Sequence, residues 1–144
     1  MKGFSLVESV LAMVIIGAGF VGVVMAIPGM ARTSLLADQS IVATNLAAEA
    51  LEKVMARRDC NAAGCGYAST IAAIAANGYN ANPVSGFTGY VLTVTVLEVN
   101  PDADTGTDDF LDANVGSGYA RVTAQVNFNN NANTIKLATM ITNY

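Results

Sequence analysis

The sequence contains no histidine, which excludes Ser-His-Asp and Cys-His nucleophile pairs and most catalytic zinc sites from the outset. Any catalysis would have to run on carboxylates or on a metal held through oxygen. Basic residues are also few: 7 Lys and Arg stand against 11 Asp and Glu, for a net charge of -4 and a pI of about 4.5. That balance argues against neutralising a phosphate backbone, so nucleic acid is excluded as a direct ligand. Charge of either sign is thin, at 12% of residues against 53% hydrophobic, and the mean hydropathy of +0.44 is high for a soluble protein. The two cysteines, Cys60 and Cys65, have no other Cys or His to complete a soft-ligand metal set. At 144 residues the chain has room for a single core.

Charge is missing altogether between Ser9 and Ala31. As a helix that run extends about 34 Å at about 1.5 Å per residue, enough to cross a bilayer. It could be a cleaved secretory signal, a permanent anchor, or a helix that leaves the membrane to pack against copies of itself. A secretory signal has a basic leader, a shorter apolar core and a small-residue cleavage site beyond it. Here the leader is only Met1-Lys2-Gly3, and Glu8 stands at the edge of the apolar run. A carboxylate has no use in a signal peptide, and a charge at the membrane calls for a partner. The alternative for Glu8 is an interfacial carboxylate reaching the headgroups. Within the run, Gly17, Gly19 and Gly22 allow close helix approach, but their spacing makes no GxxxG face. Pro28-Gly29 invites a kink or local melting.

Gly3-Phe4-Ser5-Leu6-Val7-Glu8 followed by a long apolar helix closely resembles the start of type IV prepilins and type II secretion pseudopilins. The resemblance implies cleavage by a prepilin peptidase after Gly3 and N-methylation of the new terminus, Phe4. It also implies that Glu8 meets the terminal amine of a neighbouring subunit during filament assembly. Only the correctly staggered neighbour would then satisfy both charges, since a buried charge without its partner costs ~3–5 kcal/mol. Residues 1–3 become a leader peptide, 4–31 the transmembrane or filament-core half of a helix, and 32–144 a head that includes the amphipathic half, 32–58. The implied partners are other pilin subunits, the prepilin peptidase, the inner-membrane assembly platform and, before assembly, the membrane itself. The implied location is the inner membrane, single-pass with the head outside the cytoplasm, and then a cell-surface pilus or periplasmic pseudopilus. The run from Ala43 to Glu52 looks more like minor pilins and minor pseudopilins, with the mannose-sensitive haemagglutinin pilus type as one candidate. Such subunits sit at a filament tip or act in initiation.

Beyond Ala31 the helical period continues, with charges interleaved. Ala43, Leu46, Ala47, Ala50, Leu51 and Val54 form one apolar stripe, leaving Glu49 and Lys53 as an i,i+4 pair on the outer side. The stem helix is predicted from Phe4 to about Arg58, with Arg57 and Arg58 complementing its negative pole and the stretch from Cys60 to Gly66 stopping it. If Lys2 marks the cytoplasmic side, Cys60 and Cys65 lie in an oxidising compartment and are expected to bridge. So small a ring would restrict the unfolded chain by only about 2 kcal/mol, so its work is local.

A helical turn or two is predicted over Ser69 to Ala76, and connection from Asn77 to Gly89. Strands follow at 90–97, with Leu92, Val94 and Val96 on one face, and at 119–129, with Val122, Ala124, Val126 and Phe128 inward. A third, at 133–143, runs through Ile135, Leu137, Thr139 and Ile141. Asn129 to Asn133 makes the hairpin, because asparagine tolerates positive φ. The fold class is therefore α+β: a long N-terminal helix packed on an antiparallel sheet of three or more strands, which the resemblance makes type IV pilin-like.

Between the first two strands lies an acidic stretch containing Asp102, Asp104, Asp108, Asp109 and Asp112. Aspartates around Gly106 can gather hard oxygen ligands, so Asp102, Asp104, Asp108 and Asp112 are the candidate calcium ligands, the family having some heads that bind calcium in a loop. The match to an EF-hand is poor, and a solvated acidic loop is the better reading. No other cofactor is expected. The leading function is a structural subunit of a filament, a minor pilin or pseudopilin without catalysis. The alternatives are a major pilin, a non-polymerising membrane-anchored calcium-binding adhesion module, and an anchored enzyme using Asp104, Asp108 or Asp112.

Overall fold

The computed structural model describes residues 5–100, 113 and 115–143. The protein is α+β. Its elements are α1 (Leu6–Asp59), α2 (Tyr67–Ala75), β1 (Val91–Glu98), β2 (Tyr119–Phe128) and β3 (Asn133–Thr142). The chain divides into two compact units, Met1–Gln39 and Ser40–Tyr144. The first is the N-terminal part of α1. Ser5 opens the helix, its carbonyl accepting the N–H groups of Glu8 at 3.0 Å and Ser9 at 3.2 Å. The helix is unbroken through Pro28-Gly29, so the pair does not melt it. A proline removes one donor but keeps φ in the helical range, and the bonds on either side hold the turn.

The second unit is a two-layer sandwich of helix on sheet. The strands form an antiparallel meander in the order β1-β2-β3. Register places Val94 opposite Ala124 and Val96 opposite Val122, and on the other side Ala124 opposite Leu137 and Ala120 opposite Ile141. Because side chains alternate along a strand, this register lines apolar residues on one face. Ala120, Val122, Ala124, Val126 and Phe128 of the central strand are all buried there. Against them lies the stripe of α1, with Ala43, Leu46, Ala47, Ala50, Leu51 and Val54 buried in the same cluster. The three alanines let the helix backbone approach the sheet, and the branched residues between them fill the space left. Glu49 and Lys53 pair on the solvent side at 2.6 Å, each more than half exposed. Such a pair is worth only about 0.3–0.5 kcal/mol.

After α1, Cys60 and Cys65 are joined in a disulfide with Cα atoms 5.5 Å apart. The turn is tied back to the helix by the Gly66 N–H, which donates to the Arg57 carbonyl at 3.0 Å. Helix α2 begins two residues earlier than the sequence pattern suggests, at Tyr67, and contributes buried Thr70 and Ile74. It ends in a Schellman motif: Asn77, at φ 60°, donates to the Ile74 carbonyl, and Gly78 donates to that of Ala73, both at 2.9 Å. The β2–β3 hairpin turns through three left-handed residues, Asn129, Asn130 and Asn131, at φ 53°, 54° and 65°.

The connection from Asn77 to Gly89 does more than join two elements. Ala81 and Leu92 exchange backbone hydrogen bonds at 3.0 and 2.9 Å, and the side-chain oxygen of Asn80 accepts the Val94 N–H at 2.8 Å. Asn80 is itself held by its amide nitrogen, which donates to the side-chain oxygen of Asn77 at 2.8 Å. The outer edge of β1 is thereby covered at Leu92 and Val94. Val94 is 2% exposed, so its N–H has little access to water if that acceptor is lost. Asn80→Ala is expected to lower unfolding stability by about 1–3 kcal/mol. Chemical denaturation of the detergent-solubilised chain checks this; an unchanged midpoint would mean that water replaces the side chain.

Candidate functional site

The most unusual surface of the protein lies on α1. From Leu6 to Met25 the helix is 20 residues long with mean hydropathy 2.3, none of it buried within the chain. Leu6, Met13, Phe20 and Met25 are each at least 70% exposed. A soluble monomer rarely shows a contiguous apolar surface of this extent. One apolar N-terminal helix can therefore span a membrane, by length and composition. Gly17, Gly19 and Gly22 have nothing within 4 Å of the position a Cβ would take. Each costs about 1 kcal/mol relative to alanine inside a helix, and no contact within the chain calls for it.

Glu8 is the one charge on this surface, in the first turn of α1. Three residues after Ser5, it sits where the unpaired N–H groups of a helix start favour a carboxylate. Leu6, Val7, Val10, Leu11 and Val14 make an exposed apolar face beside it. Gly3 and Phe4, the expected cleavage and methylation positions, lie outside the described residues, as do Asp102, Asp104, Asp108 and Asp112. Among the described residues no three of Cys, Asp and Glu come together as a metal site. One cleft of the Ser40–Tyr144 unit lies by the Cys60–Cys65 turn and is lined by Arg58, Asp59, Asn61, Tyr67, Thr142 and Asn143. Another, beside α1, is bordered by Leu46, Glu49, Lys53, Tyr79, Ser85 and Leu92, with Lys53 paired to Glu49.

A second cluster was not anticipated from the pattern of residues. Glu98, the last residue of β1, accepts the Tyr67 hydroxyl at 3.2 Å and, on its other oxygen, the Gly116 N–H at 3.1 Å. The next residue, Val99, is fully buried. Its N–H donates to the Tyr119 carbonyl at 2.9 Å, its carbonyl accepts the Ser117 hydroxyl at 2.6 Å, and it bridges to Ala113. These contacts hold together the two ends of the acidic segment. Burial, followed by the charge of Glu98 and the bond to it, pushes the Tyr67 phenol up to about 12. The only advance signal was the acidic residue ending an otherwise apolar strand; its partners, far away in sequence, gave none.

No protein-family model, curated protein or solved structure matches the chain.

Proposed function

We propose that this chain is a structural subunit of a type IV pilus or related filament, of the minor pilin or pseudopilin kind. It is held first as a single-pass membrane protein and then assembled through packing of its N-terminal helix. The observation that carries this reading is the bare apolar surface of α1 from Leu6 to Met25, which begins with a carboxylate. Lipid alone would cover such a surface, but it leaves Glu8 only its weak complement to the helix start and leaves unexplained three glycines whose Cβ positions meet nothing among the described residues. Helices of like subunits give a use to both: small residues admit close approach, and a neighbour's terminal amine answers the carboxylate. The helix-on-sheet unit fits the arrangement of a pilin head, and the motif Gly3 to Glu8 supplies the processing signal.

The test is the N-terminal mass of the protein recovered from its native membrane, beside the same preparation from a prepilin-peptidase deletion. The expected result is loss of Met1-Lys2-Gly3 with one methyl group gained on Phe4, both abolished in the deletion. An intact Met1 would return the helix to a simple anchor, and cleavage beyond Ala26 to a secretory signal.

A further inference from the structure

We infer that Glu98 is a strap tying both ends of the acidic segment to α2, so that Tyr67, placed by the disulfide-closed turn, sets how firmly those ends are held. The carboxylate reaches in two directions. One oxygen takes the hydroxyl of Tyr67, the first residue of α2 and two beyond Cys65. The other takes the N–H of Gly116, on the limb by which the chain returns to β2. Gly116 lies in the left-handed region at φ 86°, a conformation that turns its N–H toward the strand end at no cost to glycine. Val99 and Ser117 complete the join, with the Ser117 hydroxyl satisfying a carbonyl of a fully buried residue. On the far side, Tyr67 is fixed because Gly66 is bonded to Arg57 and the Cys60–Cys65 bridge shortens the path from α1. A hydrogen bond to a carboxylate is worth more than one between neutral groups, and the two on Glu98 orient each other. The strap is independent of whether the chain enters a filament.

Amide hydrogen exchange on the full-length chain in detergent micelles tests the strap, read at Gly116 and Val99 with Ala124 in the central strand as reference. Tyr67→Phe removes a hydroxyl that never touches Gly116, yet its exchange at Gly116 is expected to rise about tenfold, as in Glu98→Gln. Reduction of the Cys60–Cys65 bridge by dithiothreitol, which leaves two protein thiols and a cyclic oxidised reductant, is expected to raise it in the same direction. Ala124 should stay unchanged in all three. A spectrophotometric titration adds a direct reading: burial keeps the Tyr67 phenol raised, but in Glu98→Gln, with the Glu98 charge and its bond removed, it should ionise at a lower pH than in the parent. If Gly116 responds to Glu98→Gln but not to Tyr67→Phe, the two bonds are separate and the strap does not exist. If Ala124 accelerates in step with Gly116, the effect is general loosening and the inference is equally overturned.

Discussion

Aspartate in place of Val122 is expected to unfold the Ser40–Tyr144 unit. Val122 is fully buried in the central strand, between Val96 on one side and Thr139 on the other, with the alanine and leucine stripe of α1 in the same core. Among the described residues the core cluster itself contains no cation, and Lys53 is committed to Glu49 on the solvent side of α1. A carboxylate there is either ionised without a partner or protonated with an unsatisfied hydroxyl, and either state costs several kcal/mol. A domain of this size is stable by only about 5–15 kcal/mol. Val122→Ala, which removes two methyl groups and leaves a small void, should cost about 1–3 kcal/mol and keep the fold. Circular dichroism in detergent separates the two: the alanine variant retains a cooperative melt at lower temperature, and the aspartate variant loses its strand signal and its transition. An aspartate variant melting within a few degrees of the parent would show that Val122 does not face this core.

The residues that build that core were readable in advance because periodicity reports burial directly. The six positions from Ala43 to Val54 recur at three- and four-residue spacing, and among the described residues the buried ones of α1 are these six. In β2 the strict alternation of Val122, Ala124, Val126 and Phe128 with Arg121, Thr123, Gln125 and Asn127 fixed both the strand and its inward face. Strand and helix ends shifted by one or two residues, as ends do when caps rather than patterns decide them. The connection after α2 was legible as turns but not as the cover of an edge, since Asn80 reaches Val94 across 14 positions by a single side-chain oxygen. Glu98 and Tyr67 are 31 apart, and one hydrogen bond at that range leaves no period in a sequence. At the candidate site the apolar run and Glu8 were visible because one is defined by missing charge and the other by breaking it. The roles expected of Gly3 and Phe4 from the resemblance, and the candidate calcium role of the four aspartates, rest on chemistry that no pattern of burial encodes, and these residues lie outside the described ones.

Glu8→Ala is expected to leave the protein in the membrane and to remove it from sheared filaments. Two explanations of the carboxylate differ in size. As a complement to the start of α1 it contributes about 0.3–1 kcal/mol, so its loss would lower helicity slightly and leave assembly untouched. As the partner of a neighbour's terminal amine in the proposed filament, its loss leaves a buried cation unanswered at a cost of ~3–5 kcal/mol. With tenfold for each 1.4 kcal/mol, that is a reduction in incorporation on the order of 100- to 4000-fold. Membrane retention should hold or improve, because the substitution removes the only charge within the 20-residue apolar run. Glu8→Asp keeps the charge but shortens its reach by about one methylene, and should fall between the parent and alanine. Glu8→Gln keeps the shape without the charge, and should behave like alanine if the ion pair governs assembly. The assay is the ratio of protein in the sheared filament fraction to protein in the membrane fraction, with the parent chain deleted from the host. If the ratio is unchanged in Glu8→Ala while the membrane fraction is normal, Glu8 serves only the helix start, and the chain is an anchored module that functions without polymerising.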